Sequence, residues 1–435
     1  MNYKTRDNLT LITISIILLI SIIAPIWFVI YISTEKNTNL VTADLSITED
    51  TYVPPAAKEV EEKKDVPTEL PKPKEQAQEI LDTMDPQELF YKKSLSVTEK
   101  SVYAEICRNV VKHNEKTFNI HEVTVESFKK IFKYITYDHE EFFWFENIAY
   151  NINENGYVVS AKLNYNCSKE QRATKQQQID ASANEILANI NETMTSYDKA
   201  KYIHDKLILN TAYNSASTDN QNIYSVLVGK QSVCAGYARA YQYLLKKANV
   251  FCTYITGEAI DETGTTVGHA WNLINIGTDY YYVDITFDDP MQTNDAININ
   301  YISHIYFGIT TEELLKTHSI NKDINSLPIA SSNDYNYYVK EGMFFNTYTN
   351  ETLTSMFNTF KSGNASKEQC FAFKFANKET YVAAINDLFK VDKSINSILK
   401  KVNKDHACKN KIIDNTISYM LDDKKYIISF ILDYK

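Results

Sequence analysis

Leu9 to Ile32 is apolar apart from Thr10, Thr13, Ser15 and Ser21, and it carries no charge. At about 1.5 Å of rise per residue, a helix of this length crosses a hydrocarbon core of about 30 Å. Pro25 introduces a kink that membrane helices tolerate. Lys4 and Arg6 precede the segment and only Lys36 follows closely, so the positive-inside rule leaves residues 1–8 in the cytoplasm and the rest of the chain outside. A cleavable signal peptide fits less well. Its apolar region would be shorter and would end in a small-residue cleavage site, whereas Val41-Thr42-Ala43 lies too far downstream. Residues 9–32 therefore read as an uncleaved transmembrane helix. From 33 to 85 the pattern turns polar, with Pro54-Pro55, Pro67, Pro71 and Pro73 among Lys and Glu runs. Such a stretch buries too little surface to fold and predicts a disordered, extended tether.

Beyond the tether, helical and strand periods alternate. Val102, Ile106 and Val110, then Phe128, Ile131, Phe132 and Ile135, have helical spacing. Ile148–Ile152 and the alternating Tyr157–Leu163, joined through Asn155-Gly156, predict a strand pair. Residues 86–178 thus form one small α/β domain. In 179–330, Thr195 and Asp198 have capping-box spacing ahead of the apolar face Ala200, Ile203, Leu207. A second helix begins near Ser232, with Ala238, Tyr241, Leu245 and Ala248 on its buried face. Strand-like runs follow at Phe251–Thr256, Ala270–Ile276 and Tyr280–Phe287. A helix succeeded by antiparallel strands describes a helix packed on a sheet. Residues 331–435 repeat the mixture around Gly342–Phe345, Phe371–Phe375 and Tyr426–Ile431, a second small α/β domain without chemistry of its own. The fold class is α+β.

Composition narrows the function. The net charge of −10 is the wrong sign for a chain that neutralises phosphates, so nucleic acid is not an expected partner. The six cysteines have no C-x-x-C pair, so no metal site is expected from them. Cys107 with Cys167 and Cys370 with Cys408 are possible disulfides in an oxidising compartment, or all six are reduced, buried thiols. A thiol–disulfide exchanger would need a resolving cysteine near the reactive one, and none is at hand.

Three residues are candidates for thiol-dependent acyl-transfer chemistry. A nucleophilic thiol needs a base and a group that orients the base. With Ser232 as N-cap, Cys234 falls in the first turn of its helix, where the macrodipole favours a thiolate. The Gly277-Thr278 turn suits a type II′ hairpin. That register sets Ile276 opposite Asp279 and His269 opposite Thr286, and places Asp284 on the face of His269, diagonal to it. Diagonal neighbours are roughly 7–8 Å apart at the backbone, within side-chain reach, and a one-residue slip would separate the two. Asp288 and Asp289 compete with Asp284 as orienter, but facing favours Asp284, and Asp288-Asp289-Pro290 reads as a structural strand end. Trp271 lines the cleft or the core. His204 and His318 read as structural, and Cys252 as a buried, inert thiol. The Cys234 N–H is a natural oxyanion donor, with the Tyr213 hydroxyl as a second.

Cys234-Ala-Gly-Tyr237-Ala, then Gly268-His269-Ala-Trp271-Asn272, then Tyr281-Tyr-Val-Asp284-Ile-Thr-Phe-Asp288-Asp289-Pro290, resembles the transglutaminase-like superfamily in its bacterial surface form. The resemblance covers roughly Ser196 to His318, and the flanking domains loosely resemble those of membrane-anchored members from Gram-positive bacteria. It implies a papain-like core, a Cys234–His269–Asp284 triad, no cofactor, and an acyl-thioester resolved by an amine or by water. Cross-linking members usually carry Trp after the nucleophile, and Ala235 stands there here. Hydrolysis is therefore at least as well supported as cross-linking. Protein or cell-wall peptides are the substrates that the anchor and tether suggest. The alternative is a catalytically silent binding or scaffold module at the cell surface.

Overall fold

The computed structural model describes residues 31–32, 41–46, 89–261, 264–289, 302–324, 327–414 and 417–435. Most of the apolar segment 9–32 and of the polar segment 33–85 lies outside these residues, and no described helix is long and apolar enough to cross a membrane. One strand falls within the segment expected to be a tether. Val41–Ser46 (β1) pairs antiparallel with a later strand, Thr42 opposite Asn151. The run Val41-Thr42 is β-branched, which suits a strand.

The chain divides into two compact units. The first contains Leu95–Phe132 and Phe145–Tyr165. Ser96 and Glu99 form a reciprocal capping box that starts α1 (Val97–Lys112). After β2 (Phe118–Thr124) and α2 (Val125–Asp138) come β3 (Phe145–Ile152) and β4 (Tyr157–Tyr165). The sheet order is β1-β3-β4-β2, all antiparallel, with Tyr31–Ile32 beside β1. Gly156 takes the positive φ of +79° that the tight turn between β3 and β4 requires. Ile106, Val110, Phe128, Ile131, Ile148 and Leu163 are buried, so the two predicted periodicities do face a core.

The second unit contains the described residues of 89–94, Lys133–Trp144 and Asn166–Lys435. The last of these opens with α3 (Lys169–Leu187), a continuous helix that runs through position 178, where the sequence pattern suggested a domain boundary. Thr195 and Asp198 cap α4 (Ser196–Asn210) reciprocally. β5 (Ala212–Tyr213) and β6 (Gln231–Ser232) pair in parallel, with the short α5 (Ile223–Leu227) between them. They lead into α6 (Cys234–Lys247), which is buried from Cys234 to Leu245. Such a helix, apolar or small on nearly every side, belongs inside a core.

β7 (Cys252–Ile260), β8 (Thr266–Ile276) and β9 (Asp279–Val283) form an antiparallel sheet against which α6 packs. The Asn272 amide ties β8 to the helix by donating to the Ala238 carbonyl at 3.0 Å. After the four-residue helix α7 (Ile285–Asp288), β10 (Phe307–Ile309) and β11 (His318–Ile320) close the two edges in the order β10-β9-β8-β7-β11. The C-terminal part of the unit adds β12 (Phe344–Phe345), α8 (Asn350–Gly363) and β13 (Cys370–Phe375), then β14 (Ser418–Asp422) and β15 (Ile427–Ile431). Its sheet, β12-β13-β15-β14, is covered by an aromatic core that includes Phe360, Phe371, Phe373 and Phe430. None of the six cysteines is disulfide-bonded.

Candidate active site

The hairpin of β8 and β9 has the expected register: Ile276 lies opposite Asp279, and the ladder continues to Val283 opposite Asn272. Gly277 takes φ of +65°, the first position of a II′ turn. The predicted strand Tyr280–Phe287 nevertheless ends at Val283. Asp284 is the reason, because its Oδ1 accepts from the Thr286 and Phe287 N–H groups at 3.1 and 3.2 Å and caps α7. Thr286 is therefore helical and His269 has no strand partner there. Asp288 likewise belongs to this helix rather than to a strand end.

The other carboxylate oxygen meets two imidazoles. Asp284 Oδ2 lies 2.7 Å from His269 Nε2 and 3.0 Å from His318 Nε2, and all three side chains are buried. Burial alone would raise the Asp284 pKa, but His269 and His318 together hold it well below the usual carboxylate range. The group is ionised, and an ionised carboxylate only accepts. Both Nε2 atoms must then carry protons. Neutral His269 is left with an Nδ1 lone pair, the acceptor that a thiol proton requires. His318 Nδ1 faces the Thr317 hydroxyl at 2.8 Å, which donates to it. Burial pushes the His318 pKa down despite Asp284, so it stays neutral.

The sequence builds this convergence with small residues. His269 lies opposite Gly257, and Ala259 lies opposite His318, so both imidazoles share one face with a nearly bare central strand between them. Their ring centroids are 5.6 Å apart. A Cβ on Gly257 would sit 1.8 Å from the Ser319 carbonyl oxygen and 2.8 Å from the Trp271 ring. Trp271 is fully buried, 5.9 Å from His269 and 4.9 Å from His318 between ring centroids. It is a floor to the two imidazoles, not a residue of an open cleft. His318, read from sequence as structural, belongs to the site. Its only signal was a lone His after Tyr306-Phe307, and the alternation around Gly257 and Ala259 was the clue to the space it fills.

Cys234 is the first residue of α6, one step from the expected geometry: the N-cap is Val233, and no side chain caps the helix. The Ser232 hydroxyl is used elsewhere, by the Asn220 carbonyl at 2.6 Å and Ser225 Oγ at 2.7 Å. A buried helix start without a side-chain cap favours an anion at its amides. Tyr213 pairs with Ser232, two residues before Cys234. Cys252 is half-buried rather than buried, yet desolvation raises its pKa well above the ordinary thiol value, which suits an inert thiol.

A second buried cluster supports the far end of α7. His204 bridges Asp205 at 2.9 Å and Asp288 at 3.3 Å, while His304 meets the same Asp205 oxygen at 2.7 Å. Burial would lower the His204 pKa, but the two carboxylates raise it. Asp288 Oδ1 also accepts from Ser303 Oγ and the Tyr306 N–H, both at 3.0 Å, which fastens the segment before β10 to the core. Tyr237 Oη meets Asp289 Oδ2 at 2.8 Å. These contacts make His204, Asp288 and Asp289 structural.

Two groups, His269–Asp284–His318 and His204–Asp205–His304, bring three metal-ligand atoms within 4.8 Å of one another. A tetrahedral ion with bonds of about 2.0 Å would hold its ligand atoms roughly 3.3 Å apart. The nitrogen–oxygen separations of 2.7–3.0 Å are those of shared protons instead. A cavity of about 510 Å³ lined by Lys201, His304, Tyr337, Glu341 and Glu368 includes none of Cys234, His269 and Asp284.

Residues 182–285 match the model of the transglutaminase-like superfamily, which includes Cys234, His269 and Asp284 but not His318. Among curated proteins none matches the chain. Several solved structures are similar over part of the fold. One, described as a TGase, is 13% identical over 31% of this chain and 42% of its own, with a TM-score of 0.24. Another, a proposed cysteine protease from Cytophaga hutchinsonii, is 13% identical over 42% of this chain and 65% of its own, with a TM-score of 0.23. The chain spans less than two thirds of each. This region is a transglutaminase-like core within a mixed α+β chain.

Proposed function

We propose that the chain is a cysteine-dependent acyl-transfer enzyme that acts on amide bonds. The observation that supports this best is the buried pair of His269 and Asp284, 2.7 Å apart, on a sheet that packs against the helix opened by Cys234. His269 Nδ1 takes the thiol proton, and the thiolate attacks the amide carbonyl. His269 then returns that proton to the departing amine. Water or a second amine resolves the thioester by the same route in reverse. The Cys234 N–H and the Tyr213 hydroxyl stabilise the oxyanion. Ala235, in the place of Trp, leaves water at least as well supported as an amine as the acceptor. Cell-wall peptides at the outer surface are the substrate that an anchor at 9–32 and a tether at 33–85 favour.

The test is trapping. The full-length chain incubated with a cell-wall peptide extract should accumulate an acyl adduct on Cys234, readable by mass analysis, and Cys234→Ala should lose both adduct and turnover while keeping its circular dichroism spectrum. Turnover surviving in Cys234→Ala would end the proposal. A Cys234 that iodoacetamide alkylates near pH 6 no faster than an ordinary thiol would favour a silent binding module instead.

A further inference from the structure

We propose that His318 is a positioning residue of this site, dividing the Asp284 carboxylate oxygen between two imidazoles so that His269 never holds it alone. The inference rests on the acyl-transfer reading for its purpose, but its geometry stands independently.

Three observations carry it. First, His318 Nε2 and His269 Nε2 converge on the same atom, Asp284 Oδ2, at 3.0 and 2.7 Å, while Oδ1 is committed to the start of α7. The carboxylate therefore has no rotational freedom left, and the second imidazole adds something other than orientation. Second, the tautomer of His318 is set by the carboxylate, and its other side accommodates it. An acceptor-only carboxylate demands a proton on Nε2, and the Thr317 hydroxyl at 2.8 Å satisfies Nδ1. Third, the sheet leaves space for this ring. Gly257 and Ala259 stand between the strands that bear the two histidines, and Trp271, Phe287 and Tyr306 pack on the His318 ring with centroids 4.9, 5.0 and 5.5 Å away. A ring placed only for bulk would not need a nitrogen aimed at the carboxylate.

The consequence is electrostatic. An N–H donor aimed at Oδ2 withdraws part of the charge that would otherwise stabilise the imidazolium form of His269. His269 then remains a base that releases its proton to a leaving amine, rather than a permanently charged partner of Asp284. The ionisable groups around the two imidazoles are Asp284, Tyr306 and Lys425, the last from the loop between β14 and β15, and on the acyl-transfer reading the Cys234 thiol, which faces His269 and is kept in all the proteins compared.

Site-resolved histidine titration tests this in the full-length chain labelled with ¹⁵N-histidine. His318→Leu fills the space without a donor, and His318→Gln keeps an N–H where Nε2 stood. The midpoint at which His269 gains its second proton should rise by about one pH unit in His318→Leu, a tenfold gain in proton affinity, and should stay near wild type in His318→Gln. Lys425 is common to all three proteins and does not enter the comparison. A folded His318→Leu with an unmoved His269 midpoint would overturn the proposal. If that variant does not fold, the wild-type spectrum decides: His318 must appear as the neutral Nε2–H tautomer near pH 7, and an Nδ1–H form or an imidazolium there is equally fatal. An unreactive Cys234 together with a shifted His269 midpoint would sink the acyl-transfer reading and leave this one standing.

Discussion

Replacing Asp284 with Asn changes one atom in size and reverses the hydrogen-bond logic of the site. The carboxylate accepts four hydrogen bonds, two from the Thr286 and Phe287 amides and two from imidazole Nε2–H groups. Asn keeps the first two through its carbonyl oxygen, so α7 stays capped. Its NH₂ then faces two N–H donors. His269 escapes only by moving its proton to Nδ1, which removes the lone pair that must accept the thiol proton. In serine proteases the corresponding Asp→Asn exchange lowers kcat by roughly 10⁴ through this wrong tautomer. A loss of roughly 10³–10⁴ in acyl-enzyme formation is expected here, equivalent to about 4–5.5 kcal/mol of barrier. Single-turnover acylation, with Cys234→Ala as the floor, measures it. The fold should also weaken, since each charge-assisted bond contributes about 1.5–3 kcal/mol. Asp284 has a depressed native pKa, so its stabilisation is complete above the unfolded value of about 3.9 and disappears as pH falls from there through the native value. The variant should be flatter than wild type over that acid range. Asp284→Asn acylating within tenfold of wild type would refute the tautomer argument.

Gly257→Ala should displace β11 or Trp271, because the added Cβ would stand 1.8 Å from the Ser319 carbonyl oxygen. A stability loss of about 1–3 kcal/mol is expected in urea denaturation, and an unchanged midpoint would show that the strand spacing is not restrictive. Glu140→Gln should stabilise the protein at alkaline pH. Both Glu140 oxygens are buried without a hydrogen-bond partner, and Lys246 Nζ is 3.6 Å away. Burial pushes the Glu140 pKa up to about 7, opposed by Lys246. A raised carboxylate pKa means the native state holds the extra proton, so wild-type stability should fall as pH rises from about 4.3 to about 7. Denaturation midpoints at pH 5 and pH 8 should differ in wild type by an amount that Glu140→Gln removes; equal pH dependence in the two proteins would refute this.

What the sequence made legible was whatever depended on local period or on a two-residue turn. Helical spacing at Val102, Ile106 and Val110, the capping box at Thr195 and Asp198, and the Gly277-Thr278 hairpin each reflect interactions within one or two neighbouring elements. The hairpin mattered most, because a register fixed at Ile276 and Asp279 carries the strand to Val283 opposite Asn272, and the cap at Asp284 then completes the approach to His269. Extending the β9 strand past Val283 failed for a reason that strand propensity does not contain: a carboxylate can stop a strand by capping the helix that follows. Ser232 failed as a cap because its hydroxyl met the Asn220 carbonyl and Ser225, partners that only the tertiary fold supplies. His318 escaped notice for the same reason. It arrives from β11, on the far side of β7, and only the bare positions Gly257 and Ala259 between the strands say that something large must lie across them.

The two clusters around α7 show why a four-residue helix is worth this much buried charge. Asp284 starts it and meets two imidazoles, and Asp288 ends it and meets His204. Buried carboxylates cost several kcal/mol unless paired and fully hydrogen-bonded, and here each is. Replacing either end by apolar residues could preserve stability, but it would free the chain between β9 and β10 to rotate. A rotation that moved Asp284 by about 1 Å would be enough to break its hydrogen-bond geometry with His269. The short helix is best understood as a clamp on one oxygen atom. On that reasoning, the second cluster serves the first: Asp288 and His204 hold the helix so that Asp284 Oδ2 stays where both imidazoles can reach it.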